Sequence, residues 1–131
     1  LVLNLTGWRA TSTTPDRLLI TDGTSTLILL KDMPNIATPN LATVYGPLLR
    51  GPGLRIAFAP PRDERVDFTI TTTSGTKIGW MRMFHCAARN ELVEAFAKSE
   101  ADAQSLYDRV ANARCRRAGE PAQVWPDAAR R

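Results

Sequence analysis

The apolar and polar positions of this chain fall into short runs whose period changes from two to a helical spacing and back. Leu1, Leu3 and Leu5 alternate with Val2, Asn4 and Thr6, which predicts an opening strand ended by Gly7-Trp8. Arg17 to Thr21 and Thr26 to Lys31 are apolar runs separated by Asp22-Gly23-Thr24-Ser25. Asp-Gly readily supplies positive backbone φ, so these two runs predict a hairpin. After a loop from Asp32, Thr38 is placed to cap a short helix with Pro39 in its first turn and Leu41, Val44, Tyr45, Leu48 and Leu49 as its apolar face. Gly46-Pro47 should distort that helix or end it early.

The second half is richer in strands. Leu54 to Ala59 and Val66 to Thr71 flank the loop Pro60 to Arg65, and Thr73-Ser74-Gly75-Thr76 turns the chain into a strand from Lys77 to Cys86. In that strand Ile78, Trp80, Phe84 and Cys86 share one face, and Lys77, Gly79, Met81, Met83 and His85 the other. Leu92 to Ala97 fits either a returning strand or the first turns of a long helix; Lys98-Ser99-Glu100 looks like a fresh helix start, which favours the strand. The final helix runs from its cap Ser99 towards Arg114, with Glu100 and Asp102 in the first turn and Ala103, Leu106, Tyr107, Val110 and Ala113 as its buried stripe. Gly119 and Pro121 stop it.

Sequential strands joined by short turns predict an α+β fold: a mostly antiparallel sheet of about six strands with two packed helices, the longer one C-terminal. The expected organisation is one domain over residues 1–117 and an extended tail over 118–131, pinned by Trp125 to a groove or to a partner. At 131 residues and 44% hydrophobic content the chain can bury a real core. Cys86 points to the sheet face that the last helix should cover, and Cys115 lies near that helix's end, so the two are expected to form a disulfide. The alternative is two buried thiols acting as small hydrophobes.

The order of elements, with Gly7-Trp8 after the first strand, the Asp22-Gly23 hairpin, a helix, an antiparallel run and the Ser99 to Arg114 amphipathic helix, resembles the Mog1/PsbP-like fold of small bacterial envelope lipoproteins. The resemblance covers most of residues 1–117. It implies a binding or assembly-accessory role more readily than catalysis, and no functional residue can be carried over from it.

Charge and candidate chemistry narrow the field further. The net charge is +4, with Lys31, Lys77 and Lys98 the lysines and arginine supplying the rest of the basic residues. Arginines gather at Arg114, Arg116, Arg117, Arg130 and Arg131. A nucleic-acid surface needs such charge beside exposed aromatics, whereas the aromatics here fall mainly on core stripes, so nucleic acid is not an expected partner. His85 and Cys86 are adjacent strand residues that project to opposite faces and cannot easily share a proton. One histidine and two cysteines fall short of the four ligands of a structural zinc site, so no metal is expected. Asp63, Glu64 and Asp67 lie beside Arg62 and Arg65 and read as a solvated charged loop, and Gly51-Pro52-Gly53 is too short and proline-broken to cradle phosphate.

These features point to a non-catalytic extracytoplasmic interaction module or accessory subunit of an envelope assembly, with a protein partner and no cofactor. The candidate contact residues are Trp125, Arg114, Arg116 and Arg117, together with Met81 and Met83 if the first helix leaves them uncovered. The chain begins at Leu1, so a leader or lipid anchor ahead of it would bring it close to a membrane. The expected compartment is the periplasm or cell envelope, and a cytosolic binding protein of the same fold fits the same residues. The second reading is a small-ligand or lipid carrier, with a cavity between sheet and last helix lined by Trp80, Phe84, Phe96 and Tyr107.

Overall fold

Asp22 closes the first hairpin. Its carboxylate accepts from Thr24 N at 2.8 Å and Ser25 N at 2.7 Å, and Gly23 takes φ 94°. This fixes β2 (Arg17–Thr21) antiparallel to β3 (Thr26–Met33), with Leu19 opposite Ile28 and Ile20 opposite Leu27. The structure is a computed structural model that describes residues 1–49, 51–87 and 89–127. Arg50, Ala88, Arg130 and Arg131 lie outside the described residues, as do the side chains of Leu48 and Leu49 that were expected on the first helix.

β1 (Arg9–Thr13), β4 (Arg55–Phe58), β5 (Arg65–Thr72), β6 (Gly75–Cys86) and β7 (Arg89–Ala97) complete a seven-stranded sheet of order β1-β2-β3-β7-β6-β5-β4. Every neighbouring pair is antiparallel. The fold is therefore α+β and mostly sheet, with one strand more than the pattern suggests. The strand that the pattern does not predict is β1, which is polar and almost wholly exposed and so shows no apolar alternation. The expected strand over Leu1 to Thr6 is not in the sheet. Leu3 and Leu5 are buried as the alternation requires, but the segment lies against the core and touches its neighbour through a single bridge between Val2 and Arg114.

β7 occupies the middle of the sheet and is buried on both faces, which explains a nearly continuous apolar run from Leu92 to Ala97. On one face Ile20, Leu27, Trp80 and Val93 are fully buried beneath α2 (Glu100–Val110). Ser99 caps α2 as expected, its hydroxyl accepting from Asp102 N at 3.1 Å. Trp80 donates from Nε1 to Ala103 O at 3.0 Å and meets Tyr107 edge-on, with centroids 5.2 Å apart. α2 ends at Val110, short of Arg114, so Ala113 and Cys115 belong to an extended segment and not to the helix.

α1 (Leu41–Tyr45) covers the other face, with Leu41 and Tyr45 packed over Val66, Phe68, Met81 and Leu92. It is a single turn between two short 3-10 segments, Thr38–Asn40 and Gly46–Leu49, the second starting at the expected Gly46-Pro47 break. Thr38 does not cap it: the 3-10 segment begins after Ala37 and no side chain accepts a capping hydrogen bond.

Candidate functional site

Cys86 ends β6, and its sulfur is bonded to Cys115 beyond the end of α2. The bridge thus ties the sheet to the segment that follows the helix, and this segment then folds back along the sheet's end. Its course is set by three further anchors. Val2 N donates to Arg114 O at 2.7 Å, and Arg114 N to Val2 O at 3.2 Å. The Gln123 side chain donates to Leu3 O and accepts from Leu3 N, at 2.7 and 2.9 Å. Ala10 N donates to Pro126 O at 2.7 Å, and Trp125 packs half-buried against the α2-side core.

Between Arg114 and Glu120 the backbone makes a closed loop. The Arg114 guanidinium grips the Glu120 carboxylate with both arms, at 2.8 and 2.7 Å, and Arg117 N donates to Glu120 Oε1 at 2.9 Å. The hydrogen bonds from Arg114 and then from Arg117 hold the Glu120 carboxyl down to about 2, and Glu120 in turn raises the Arg114 guanidinium. Arg114 is thereby committed to the loop's own shape. Arg116 and Arg117 are left exposed beside it.

A groove of about 490 Å³ opens between this segment and the ends of β2, β3, β6 and β7. Leu18, Leu29 and Trp125 supply apolar lining, and Lys31, Arg116 and Arg117 supply cations. The disulfide forms part of the wall. Arg89 also lines it and is held by Asp32, Nε to Oδ1 3.2 Å. The two acids in the lining are already engaged: Glu91 Oε1 accepts from the Leu1 nitrogen at 2.9 Å, and Glu120 is closed on Arg114. The result is a concavity whose lining mixes apolar side chains with an excess of cations.

The structure brings Cys86, Cys115, Trp125, Arg116 and Arg117 together around this groove and leaves Arg114 out of its lining. Met81 and Met83 are corrected as candidate contacts: they are 0% and 6% exposed, because α1 and its flanking loops sit on that face. The four side chains expected to line a carrier cavity do not share one. Trp80, Phe84 and Tyr107 pack on the α2 side, while Phe96 lies on the opposite face against Phe68, with centroids 5.6 Å apart.

Other polar groups resolve into structural contacts. His85 Nδ1 lies 3.0 Å from Asn90 Oδ1, and its neighbour Cys86 is not a thiol. Asp67 pairs with Arg62 at 2.8 Å and Arg65 at 3.1 Å, and Glu64 with Arg82 at 2.8 Å. Two features have no sequence signature: Arg65, 1% exposed under the Tyr107 ring at 4.1 Å, and Glu94, a buried carboxyl in the middle of β7. The groove's Leu18, Leu29, Lys31 and Arg89 were equally silent, since they come from three strands and meet only through the sheet order. Among the described residues no helix is long and apolar enough to cross a membrane. No protein-family model matches this chain, and neither a curated protein nor a solved structure matches it.

Proposed function

We propose that this chain is a non-catalytic interaction module, an accessory subunit of an extracytoplasmic assembly, and that a protein partner docks in the disulfide-walled groove. The observation that carries this reading is the groove itself: the backbone that carries exposed Arg116 and Arg117 is fixed in place by a bridge, a bidentate ion pair and a docked tail, while the Arg116 guanidinium takes part in none of these and the Arg117 guanidinium adds only a charge interaction with Glu120. Holding long cationic side chains beside half-buried Trp125 suits recognition better than packing, because arginine and tryptophan are the residues that anchor protein interfaces. The Cys86–Cys115 bridge is compatible with an oxidising compartment, which supports the extracytoplasmic placement.

The test is site-specific photo-crosslinking in intact cells that make the protein. A crosslinker at Ala118, on the groove, should give a discrete higher-mass adduct, and one at Thr71, exposed on β5 away from the groove, should give none. Adducts at Thr71 alone, or at neither site, would remove the groove as the docking place.

A further inference from the structure

We infer that the groove takes an acidic, extended peptide segment of the partner, with apolar side chains alternating with carboxylates. This rests on the groove being the docking site and adds the chemistry of what enters it. The cationic side chains Lys31 and Arg116–Arg117 come from different walls, β3 and the segment after the bridge, and the apolar floor of Leu18, Leu29 and Trp125 lies among them. A strand-like peptide sends successive side chains to opposite sides. Its apolar positions can therefore enter the groove while the acidic positions stay at the cationic rim. Glu91 is hydrogen-bonded to the Leu1 nitrogen and Glu120 to Arg114, and the Arg117 guanidinium meets Glu120 only through charge, so the hydrogen-bond donors of Lys31, Arg116 and Arg117 stay open to a ligand.

Shape selects among anionic ligands. A flat bilayer surface would meet the exposed Arg116 and Arg117 but could not reach Leu18 and Leu29, which are 8% and 4% exposed at the bottom of a concavity. A single strand of nucleic acid would need several stacking rings, and the groove offers Trp125 alone. A concavity of about 490 Å³ with apolar side chains in its lining suits a few residues of one peptide chain.

Trp125 makes a direct reporter, because Trp8 and Trp80 are 2% and 0% exposed and neither lines the groove. The oxidised full chain is titrated with a capped decapeptide alternating glutamate and leucine, followed by tryptophan emission and calorimetry. Saturable binding is expected, weakened by added salt, and weakened about tenfold or more by the double substitution Arg116→Glu with Arg117→Glu. Arg55→Glu, on the exposed edge strand β4 at the far side of the sheet, should change affinity less than about twofold.

The inference is overturned if the peptide does not bind, if a lysine and leucine counterpart binds as well, or if Arg55→Glu weakens binding as much as the double substitution. It is also overturned if phosphatidylglycerol vesicles or a single-stranded oligonucleotide bind more tightly with the same dependence on Arg116 and Arg117. Absent peptide binding with persistent crosslinks at Ala118 would reject the acidic peptide and leave the docking site standing. Loss of both would reject the two together.

Discussion

Glu94 lies in the middle of β7, between Ile28 of β3 and Met81 of β6, on the face that α1 partly covers. It is 5% exposed and its Oε2 accepts no hydrogen bond. Burial pushes its carboxyl up from 4.5 to about 7, and the Arg17 guanidinium offsets only part of that. Between those two values the folded chain keeps a proton that the unfolded chain has released. Stability therefore falls as pH rises from 4.5 to about 7 and is level above that, a loss of about 3 kcal/mol. Glu120 acts in the opposite window: its carboxyl is lowered to about 2, so its contribution is complete above 4.5 and disappears as pH falls through 2. Glu94→Met, close in volume and without charge, should flatten the neutral limb and gain about 1–3 kcal/mol at pH 8. Urea midpoints at pH 5 and pH 8 measure this, and an unchanged gap between them would show that Glu94 is not its source. One strand away, Gly79 is bound by a harder constraint. A Cβ there would stand 2.0 Å from Ala95 O and 2.6 Å from Phe68 Cζ. The carbonyl belongs to the central strand and cannot retreat without breaking the ladder, so Gly79→Ala should cost about 3 kcal/mol in equilibrium unfolding.

Loop 62–65, between β4 and β5, is held by α2 in a conformation it would not choose. Asp63 and Glu64 take φ 48° and 62°, a left-handed pair that costs about 1–2 kcal/mol per residue outside glycine. Tyr107 of α2 compensates: its hydroxyl donates to Asp63 O and accepts from Arg82 Nη1 at 3.0 Å, while Arg82 Nη2 reaches Glu64 Oε2 at 2.8 Å. Tyr107→Phe keeps the ring beneath which Arg65 lies and removes only the hydroxyl. It should cost about 1–3 kcal/mol and speed amide exchange in loop 62–65 while β6 stays protected. Exchange in the loop that matched the parent chain would show that the ion pairs alone hold it. None of this was visible in sequence, because Tyr107 reads only as one member of a helical stripe and its polar end says nothing about a loop distant in the chain. What was legible had local causes: the Asp22-Gly23 turn, the Ser99 cap, and the two-residue alternation that sorts Trp80 from Met81. Alternation records which side chains are buried, not which backbones pair, and Leu1 to Thr6 separates the two meanings. Leu3 and Leu5 are buried without a sheet neighbour, and β1 has a sheet neighbour, β2, with almost nothing buried.

At the scale of the molecule, one sheet carries two apolar cores on opposite faces, and β7 is the strand that both share. The Cys86–Cys115 bridge closes a loop, 29 residues in sequence separation, that contains β7 and α2. Constraining that loop in the unfolded chain should stabilise the fold by about 3–4 kcal/mol. The bridge has a second effect on position, since it holds the start of the segment that carries Arg116 and Arg117. These two effects separate experimentally. In the variant Cys86→Ala with Cys115→Ala, the entropic contribution appears as a drop in the unfolding free energy with an m-value that rises as the unfolded chain expands, and in the slowest-exchanging amides of β7. The positional contribution appears as faster exchange and proteolysis confined to 113–123. Both are expected, because Val2, Leu3 and Ala10 hold the tail at other points but none of them anchors Cys115 itself. If the unfolding free energy falls by less than about 1 kcal/mol while 113–123 opens, the unfolded chain gains little freedom from losing the bridge, and its work is to hold the groove wall. If the unfolding free energy falls in full and the segment stays protected, the Arg114–Glu120 clasp and the tail contacts fix the wall unaided, and groove binding should survive reduction.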